Sequence, residues 1–473
     1  MEISTNLNEN IVNINKVLGL DKSFDIIGRK LLFGDKNVYL VFIDGFAKDD
    51  IMQLMLQRLQ EIDIGELNKD TILKMMRQKI GYIEVETFTE FQQMELFVLS
   101  GAIILMIDGE KEGIIIDARE YPVRSPQEPD LEKVTRGSRD GLVETIIFNT
   151  ALIRRRIRDP KLIFEIKNVG TRSKTDVVIG YISDLVDQGL LDNIKKKIDD
   201  VHVEALVMAE KSLVELMIKT HWYNPLPQVK FTERPDVAAA HLLEGHIAVM
   251  VDTSPSIMLL PVTLFHFTQH AEDYYHNIAV GTFLRWMRFL GMLASLFLVP
   301  VWLLLVYNKI FLPDFLQFIG PKEIGLIPLF IQFLILEVGL AMLRLASIHT
   351  PNALSTSLGI IGALLLGDFA EKVGWIIPET VLYMVVSAIG TFANPSIEFG
   401  MAITIFRIFL LIMTGFLNLP GFILGLLIIV IIIFTTKSFD HKRYTWPFIP
   451  FDWSALSCIL FRKPIPEIKR KKK

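Results

Sequence analysis

The stretch FLGMLASLFLVPVWLLLVYN, residues 289–308, decides the architecture of this chain because it contains no charged residue. At a helical rise of about 1.5 Å per residue, it is long enough to cross the hydrocarbon core of a bilayer. Further apolar stretches follow at 324–346, 375–392 and 401–435. The sequence therefore predicts an α-helical multi-pass transmembrane domain over residues 286–435, with about four spans.

A break is predicted inside the last apolar stretch. FRIFLLIMTGFLNLPGFILGLLIIVIIIF, residues 406–434, carries Asn418, Pro420 and Gly421 near its middle. Proline removes a helix donor and glycine relaxes the backbone, so a kinked or broken helix is expected there.

Charge divides the chain into three unlike regions. Residues 1–285 hold 33 Lys and Arg against 43 Asp and Glu, residues 286–435 hold 6 against 7, and residues 436–473 hold 10 against 3. The acidic first region argues against nucleic acid as a partner, because phosphate recognition needs a basic footprint. The positive-inside rule places the basic tail in the cytoplasm, where it would attract anionic membrane lipid. The N-terminus lacks a signal peptide, so both termini are expected on that side, with an even number of crossings.

The acidic region shows α/β patterning. Residues 38–43 and 162–170 resemble strands, residues 50–61 have helical spacing, and residues 177–200 are predicted as a helix. No internal sequence repeat is detectable. We predict two cytoplasmic α/β subdomains, a membrane domain and a tail, at residues 1–120, 121–285, 286–435 and 436–473.

The sequence offers no motif for nucleotide-driven transport. It contains neither a Walker A pattern nor GxGxxG after a strand, and its one cysteine, Cys458, cannot form an internal disulfide. We expect a non-enzymatic protein without cofactor or metal. His266 and His270 have the i, i+4 spacing of a zinc pair, but a polar aromatic collar at the membrane entrance is the favoured interpretation.

Three charged residues within the apolar stretches are candidates for a functional role. Glu337 and Arg344 are seven residues apart and share a helix face, so they could pair with each other or line an ion path. Glu379 follows Pro378 near a predicted interface, where contact with water explains its charge.

Residues 351–367, PNALSTSLGIIGALLLG, are short for a span, and we expect a re-entrant or half-buried helix. Ser355, Gly359 and Gly362 recur at four and three residues and form one helix face. Such a face serves either helix packing or a pore wall, and Ile361 or Leu365 could provide a constriction. The sequence leaves both readings open.

An Arg-rich motif occurs in the second predicted subdomain. Two arginines around glycines could bind an anion, but a network of arginines and carboxylates that joins subdomains or subunits is favoured. The candidate contact residues are Glu128, Asp130, Arg136, Arg139, Asp140 and Glu144.

Several of these motifs together resemble the GerA family of spore germination proteins, the A-subunit type. The resemblance rests on EPD at 128–130, RGSRDGLVE at 136–144, NTALIRRRI at 149–157, EDYY at 272–275 and LGIIGALLLGDFAEKVGWIIPE at 358–379. One branch of the family, which amplifies germination by releasing ions, is most similar at SPSIMLLP (254–261), HFTQHAEDYYHN (266–277) and WPFIPFD (446–452).

The resemblance implies a protein of the spore inner membrane that forms a ring-like homo-oligomeric channel for monovalent cations, with a small membrane partner protein and other germination proteins. It raises the pore reading of residues 351–367 above packing. The alternatives are the A subunit of a nutrient receptor, a secondary transporter with its site near Pro420, and a scaffold associated with dipicolinic acid release.

Overall fold

A computed structural model of the protein describes residues 2–67, 70–119, 132–219, 221–308, 320–322, 325–349, 372–439 and 444–464. These residues divide into two compact units. Unit 1 consists mainly of Met1–Lys219 and Val229–Pro261, and unit 2 mainly of Thr220–Gln228 and Val262–Lys469. Unit 1 contains the described strands and unit 2 the apolar helices. The four segments expected from the sequence stay predictions.

The first sheet of unit 1 is covered by helices on both faces. Its interior strand β2 contains VYLVFI, and such a continuous apolar run suits burial on two sides. Tyr39 and Val41 pack into one core, whereas Val38 and Leu40 pack into the other. The strands are β1 (Ile26–Phe33), β2 (Lys36–Ile43), β3 (Val85–Phe88), β4 (Ile103–Ile107) and β5 (Gly113–Ile116), in the antiparallel order β1-β2-β4-β5-β3. The helices are α1 (Leu7–Leu18), α2 (Asp49–Gln60), α3 (Thr71–Lys74), with a π-helical turn at Met75–Lys79, and α4 (Phe91–Leu99).

The second sheet repeats the topology of the first. Its strands are β6 (Leu162–Val169), β7 (Thr175–Ile182), β8 (Lys230–Thr232), β9 (Ile247–Val251) and β10 (Ile257–Leu260), in the antiparallel order β6-β7-β9-β10-β8. Its helices α5 (Ile146–Arg156), α6 (Gln188–Asp199), α7 (Ala209–Met217) and α8 (Pro235–Leu243) occupy the places of α1 to α4 in chain order. The predicted fold of two α/β subdomains is confirmed, and the two share one architecture although the sequence shows no repeat.

The helix predicted over residues 177–200 is wrong in its first part. Residues 175–182 form β7, which pairs with β6 on one side and β9 on the other, and α6 begins only at Gln188. A buried central strand is apolar at nearly every position, so periodicity alone cannot separate it from a buried helix.

A buried ion pair joins the two subdomains of unit 1. Arg154 of α5 is fully buried, and its Nε donates to Asp25 Oδ2 at 2.9 Å, just before β1. Its Nη2 donates to Asp25 Oδ1 at 3.0 Å and to Ser23 Oγ at 3.1 Å. The run of arginines at 154–158 therefore begins with a structural residue.

Unit 2 contains the apolar helices. Among the described residues, α10 (Ile278–Tyr307), α11 (Leu329–His349) and α13 (Ile397–Thr435) are long and apolar enough to cross a membrane, and α12 (Pro378–Phe392) is apolar but has only 15 residues. A 3-10 turn at Leu264–Thr268 and the short α9 (Glu272–Tyr275) precede them, and α14 (Trp453–Leu460) follows.

Helix α13 reverses direction near its middle, so the bend is sharper than the predicted kink or break. Asn418 has φ 54° and ψ −135°, outside the helical region. In a straight helix residues 410 and 425 would lie about 22 Å apart along the axis. Here a Cβ on Gly425 would lie 3.0 Å from Leu410 Cδ1, so the arms 397–417 and 419–435 pack antiparallel. Asn308 Nδ2, at the end of α10, donates to Asn418 Oδ1 at 2.6 Å, and this hydrogen bond links α10 to the turn between the two arms.

Helices α11 and α12 run in the same direction. At their starts, Gln332 Oε1 accepts a hydrogen bond from Ile377 N at 3.0 Å. Toward their ends, the guanidinium carbon of Arg344 lies 5.0 Å from the ring centre of Phe392. The chain therefore leaves α11 at one end of the helix bundle and enters α12 at the opposite end.

Candidate functional site

A buried ion pair inside the apolar helices is the first candidate. Glu337 of α11 and Arg407 of α13 are 4% and 2% exposed. Arg407 Nη2 donates to Glu337 Oε2 at 2.9 Å, and Arg407 Nε donates to the other carboxylate oxygen. Two charges in an apolar interior are tolerable in this bidentate geometry because each neutralises the other.

Hydroxyl groups from the other two helices complete this site. Arg407 Nη1 lies 2.9 Å from Ser295 Oγ of α10 and 2.9 Å from Ser387 Oγ of α12. It also lies 3.2 Å from Thr391 Oγ1 and donates to the Ser295 carbonyl at 3.0 Å. One guanidinium therefore connects α10, α11, α12 and α13, and all three of its nitrogens have partners.

The helices approach closely beside this cluster. A Cβ on Gly390 of α12 would collide with the carbonyl of Gly291 of α10, so a glycine is needed at position 390 where these backbones meet. Ser295 follows Gly291 by one helical turn, which brings its hydroxyl within 2.6 Å of Thr391 Oγ1.

The structure pairs Glu337 with Arg407 rather than with Arg344. Arg344 instead stacks on Phe392 and contacts the Met401 sulfur. Arg407 is not among the residues predicted from the sequence, although it is the sole charged residue between Glu398 and Lys437 and therefore carried a signal.

A cavity of about 300 Å³ lies beside the ion pair, between α11, α12 and α13. Its wall is mostly apolar, and Leu340, Ala388 and Ile408 contribute to it. Glu337, Arg344 and Arg407 supply its charged groups, with Thr391 and Thr404 as hydroxyls. The formal charge of the lining is +1.

The remaining predicted intramembrane residue, Glu379, lies in the first turn of α12. Its Oε1 accepts a hydrogen bond from Lys322 N at 3.3 Å. A carboxylate in the first turn of a helix is favoured by the helix dipole. The pore candidates Ser355, Gly359, Ile361, Gly362 and Leu365 lie outside the described residues.

The Arg-rich motif in unit 1 is split between a bonded part and an exposed part. Asp140 accepts from Arg156 Nη2 at 2.6 Å, whereas Arg136, Arg139 and Glu144 are exposed. Glu128 and Asp130 lie outside the described residues.

Arg234, which was not predicted from the sequence, holds the loop of the Arg-rich motif in place. Arg234 is fully buried and donates to the carbonyls of Glu132 at 3.0 Å and Ser138 at 2.9 Å. It also pairs with Asp236 at 2.7 Å. The loop that carries Arg136 is thus held to α8.

The stretch before α10 forms a second buried charge cluster. Asp273 is fully buried and pairs with Arg285 at 3.0 Å and with Arg288. His266 Nδ1 accepts from Thr263 N at 2.9 Å. His270 Nδ1 accepts from Glu272 N at 3.2 Å, so each histidine uses a ring nitrogen in a local turn.

Comparison with known proteins agrees with the motifs. The family model described as Bacillus/Clostridium GerA spore germination protein matches residues 13–473. Stage V sporulation protein AF of Bacillus subtilis (strain 168) is 41% identical over 452 residues, which is 96% of this chain and 91% of that protein. Spore germination protein GerLA of Bacillus cereus is 30% identical over 463 residues, 96% of this chain and 93% of that one.

A solved structure is also similar. The N-terminal domain of the A subunit of the Bacillus megaterium spore germinant receptor GerK3 matches with a TM-score of 0.42 and 25% identity, covering 55% of this chain and 96% of that one.

Proposed function

The chain belongs to the GerA family of spore germination proteins, and we propose that it is a non-enzymatic subunit of a homo-oligomeric ion channel. Family membership gives it a role in spore germination, and its apolar helices make it a membrane protein of the spore. The proposed channel lies in the spore inner membrane, releases monovalent cations and amplifies the germination response. A small membrane protein and other germination proteins are its proposed partners.

The parallel arrangement of α11 and α12 carries the proposal. Residues 350–377 connect the two helices, 350–371 (22 residues) lie outside the described part of the chain, and the helix ends that are connected lie at opposite ends of the bundle. Helix α11 has 21 residues and is about 31 Å long, and 22 helical residues would extend about 33 Å. We propose that this segment crosses the membrane completely.

In that position the segment can line a pore. Ser355, Gly359 and Gly362 would face the axis of a symmetric ring, one face from each subunit, with Ile361 or Leu365 at a constriction. Small residues leave room for ions, and hydroxyl and backbone groups replace part of their water. The described helices would form the wall between this segment and lipid.

The crossing count supports termini on one side. Helices α10, α11 and α12, the two arms of α13 and the proposed segment make six passes, which is even. With the basic tail in the cytoplasm, the acidic unit 1 is cytoplasmic too.

An exposed surface in unit 1 is available for subunit contacts. Arg136, Arg139 and Glu144 are exposed beside Ile147 and Phe148, whose exposed fractions are 37% and 44%. Apolar side chains surrounded by charges of both signs suit a contact between copies. We propose that this surface joins neighbouring subunits of the ring.

A secondary transporter is less well supported. That mechanism places its substrate site at broken helices near the middle of the membrane. The break at Asn418 lies instead at the level of Asn308, at the end of α10, and the two side chains bond each other.

Flux measurements test the proposal. Oligomeric protein in liposomes should pass potassium or sodium, and Gly362→Trp should abolish the flux. The matched control is Leu364→Trp, which lies two residues, or about 200°, further round a helix and should conduct. Equal flux through both variants and the wild type would remove residue 362 from the pore.

A further inference from the structure

We propose that the loop 221–224, which reads HWYN, is a membrane anchor whose aromatic side chains lie in the headgroup layer of the bilayer. Its partner is the phospholipid surface. The proposal requires a chain that spans a membrane, and it stands or falls independently of ion conduction.

Two neighbouring aromatic side chains of this loop are exposed. Trp222 is 98% exposed and Tyr223 is 52% exposed. Their described ring contacts stay inside the loop, because the ring centre of Tyr223 lies 6.1 Å from that of Trp222 and 5.2 Å from that of His221. Covering a tryptophan removes about 150–250 Å² of surface from water, which is favourable. The loop therefore offers a surface for a partner outside the chain, and its position indicates which one.

The base of the loop is bonded to the helical unit. Asn224 Nδ2 donates to Thr436 Oγ1 at 2.9 Å. Leu226 packs in an apolar core with residues of α13, and the carbonyl of Pro227 accepts a hydrogen bond from Tyr444 Oη at 2.9 Å. The loop is thus held at the residue that follows α13.

Thr436 marks an edge of the hydrocarbon core. Residues 408–436 carry no charge, and Lys437 comes next and is exposed. The arm 419–435 of α13 is about 26 Å long, close to the roughly 30 Å thickness of the core. Phe434, in the last turn of the arm, is 53% exposed and suits contact with lipid. The membrane surface is therefore expected at the level of Thr436.

The headgroup layer suits the side chains of the loop. Tryptophan and tyrosine concentrate at membrane interfaces because their rings are amphipathic. Trp222 lies two residues before Asn224, so their Cα atoms are at most about 7.6 Å apart, and each headgroup layer is about 5–8 Å thick. The exposed Lys437 adds a positive charge at this level, which attracts anionic headgroups.

Fluorescence quenching of the full chain in liposomes tests the anchor. In a Cys458→Ser background, His221→Cys carries the environment-sensitive dye NBD and leaves Trp222 in place. One quencher is phosphatidylcholine with a nitroxide on its headgroup, and the other is iodide in the buffer. The same protein with Trp222→Ser provides the comparison.

A second exposed tryptophan provides the matched control. Trp375 is 55% exposed and precedes α12. Helix α12 starts beside the start of α11, where the ring centre of Phe330 lies 5.3 Å from that of Phe416, just before the break in α13. Because the arms of α13 are antiparallel, Thr436 lies at the other end of the bundle. Trp375→Ser should therefore leave the dye at residue 221 unaffected.

With Trp222 present, we expect the nitroxide lipid to quench the dye more strongly than iodide does. Trp222→Ser should reverse this order and shift the emission to longer wavelength, because the dye moves into water. If the dye at residue 221 disturbs the fold, seen as lost monodisperse protein, the dye at Tyr223→Cys replaces it.

Three results would overturn the proposal. Quenching by iodide alone, with Trp222 present, would mean that the loop lies in water. Protection from both quenchers would mean that protein, such as a second copy of the chain, covers the loop. Lipid quenching that Trp222→Ser leaves unchanged would mean that Trp222 does not hold the loop at the membrane.

Discussion

Replacing Arg407 should destabilise the helix bundle by more than the loss of its hydrogen bonds alone, because a buried charge is left unpaired. Arg407→Met leaves the carboxylate of Glu337, 4% exposed, without its cation in an apolar interior. Breaking a buried pair in this way costs about 3–5 kcal/mol. The hydroxyls around Arg407 add little to this cost, because Ser295 Oγ lies 2.6 Å from Thr391 Oγ1 and the two retain each other as partners.

The double variant separates the charge from the packing. Replacing Glu337 by Met as well removes the stranded carboxylate, and exchange of a buried pair for apolar residues is often neutral. We therefore expect Glu337→Met to recover most of the stability that Arg407→Met loses. Unfolding by sodium dodecyl sulfate in mixed micelles, followed by tryptophan fluorescence, gives the four free energies of the double-mutant cycle.

A surface pair provides the control. Arg172 and Glu204 are 3.2 Å apart, with side chains 79% and 75% exposed, so Arg172→Gln should leave the unfolding midpoint unchanged. An Arg407→Met variant within about 1 kcal/mol of wild type would refute the reasoning, because breaking a buried pair should cost more. The reasoning would also be refuted if the double variant lost as much unfolding free energy as the two single variants together.

Three further outcomes follow from the described contacts. Arg154→Met should lower the thermal stability of unit 1 by about 3–5 kcal/mol, measured by calorimetry, because Asp25 is left charged and buried; Asp25→Asn in that background should restore part of it. Gly421→Val should prevent the arms of α13 from packing, seen as lost monodisperse protein in size-exclusion chromatography. Burial and the hydrogen bond to Glu165 raise the pKa of Tyr181 in the folded state. The protonated tyrosine therefore stabilises the fold fully below about pH 10, and this stabilisation is lost as the pH rises further. Tyr181→Phe should weaken the fall in melting temperature at alkaline pH.

Much of the fold is predictable because it depends on local pattern. The uncharged run at 289–308 can satisfy its backbone in lipid only as a helix, and all of it but the last residue lies within α10. The run VYLVFI at 38–43 lies within β2. In contrast, Thr175–Ile182 is a strand because it pairs with β6 on one side and β9 on the other. The local sequence of residues 175–182 does not indicate these pairing partners.

The candidate site was harder to predict because its partners are distant in sequence. Glu337 and Arg407 are 70 residues apart, and their pairing depends on how α11 packs against α13. Helical spacing suggested Arg344 because spacing reports only neighbours on one helix. Pro420 and Gly421 indicated a break, but the reversal of α13 depends on the packing of its two arms against each other, which the local sequence does not show.

The repeated topology of unit 1 shows the same limit. Both sheets place their strands in one order, yet no sequence repeat is detectable. A sheet core requires apolar residues of suitable volume rather than particular ones, so many sequences satisfy one topology.

The most direct test of the proposed channel is thiol block of flux through single-cysteine variants. In a Cys458→Ser background, cysteine replaces Ser355, Gly359, Gly362 or, as the opposite-face control, Leu364, and each protein is reconstituted in liposomes. A water-soluble methanethiosulfonate should block potassium flux at 355, 359 and 362 and leave flux through the 364 variant intact. Block at none of the first three positions, or equal block at 364, would contradict a pore lined by this helix face.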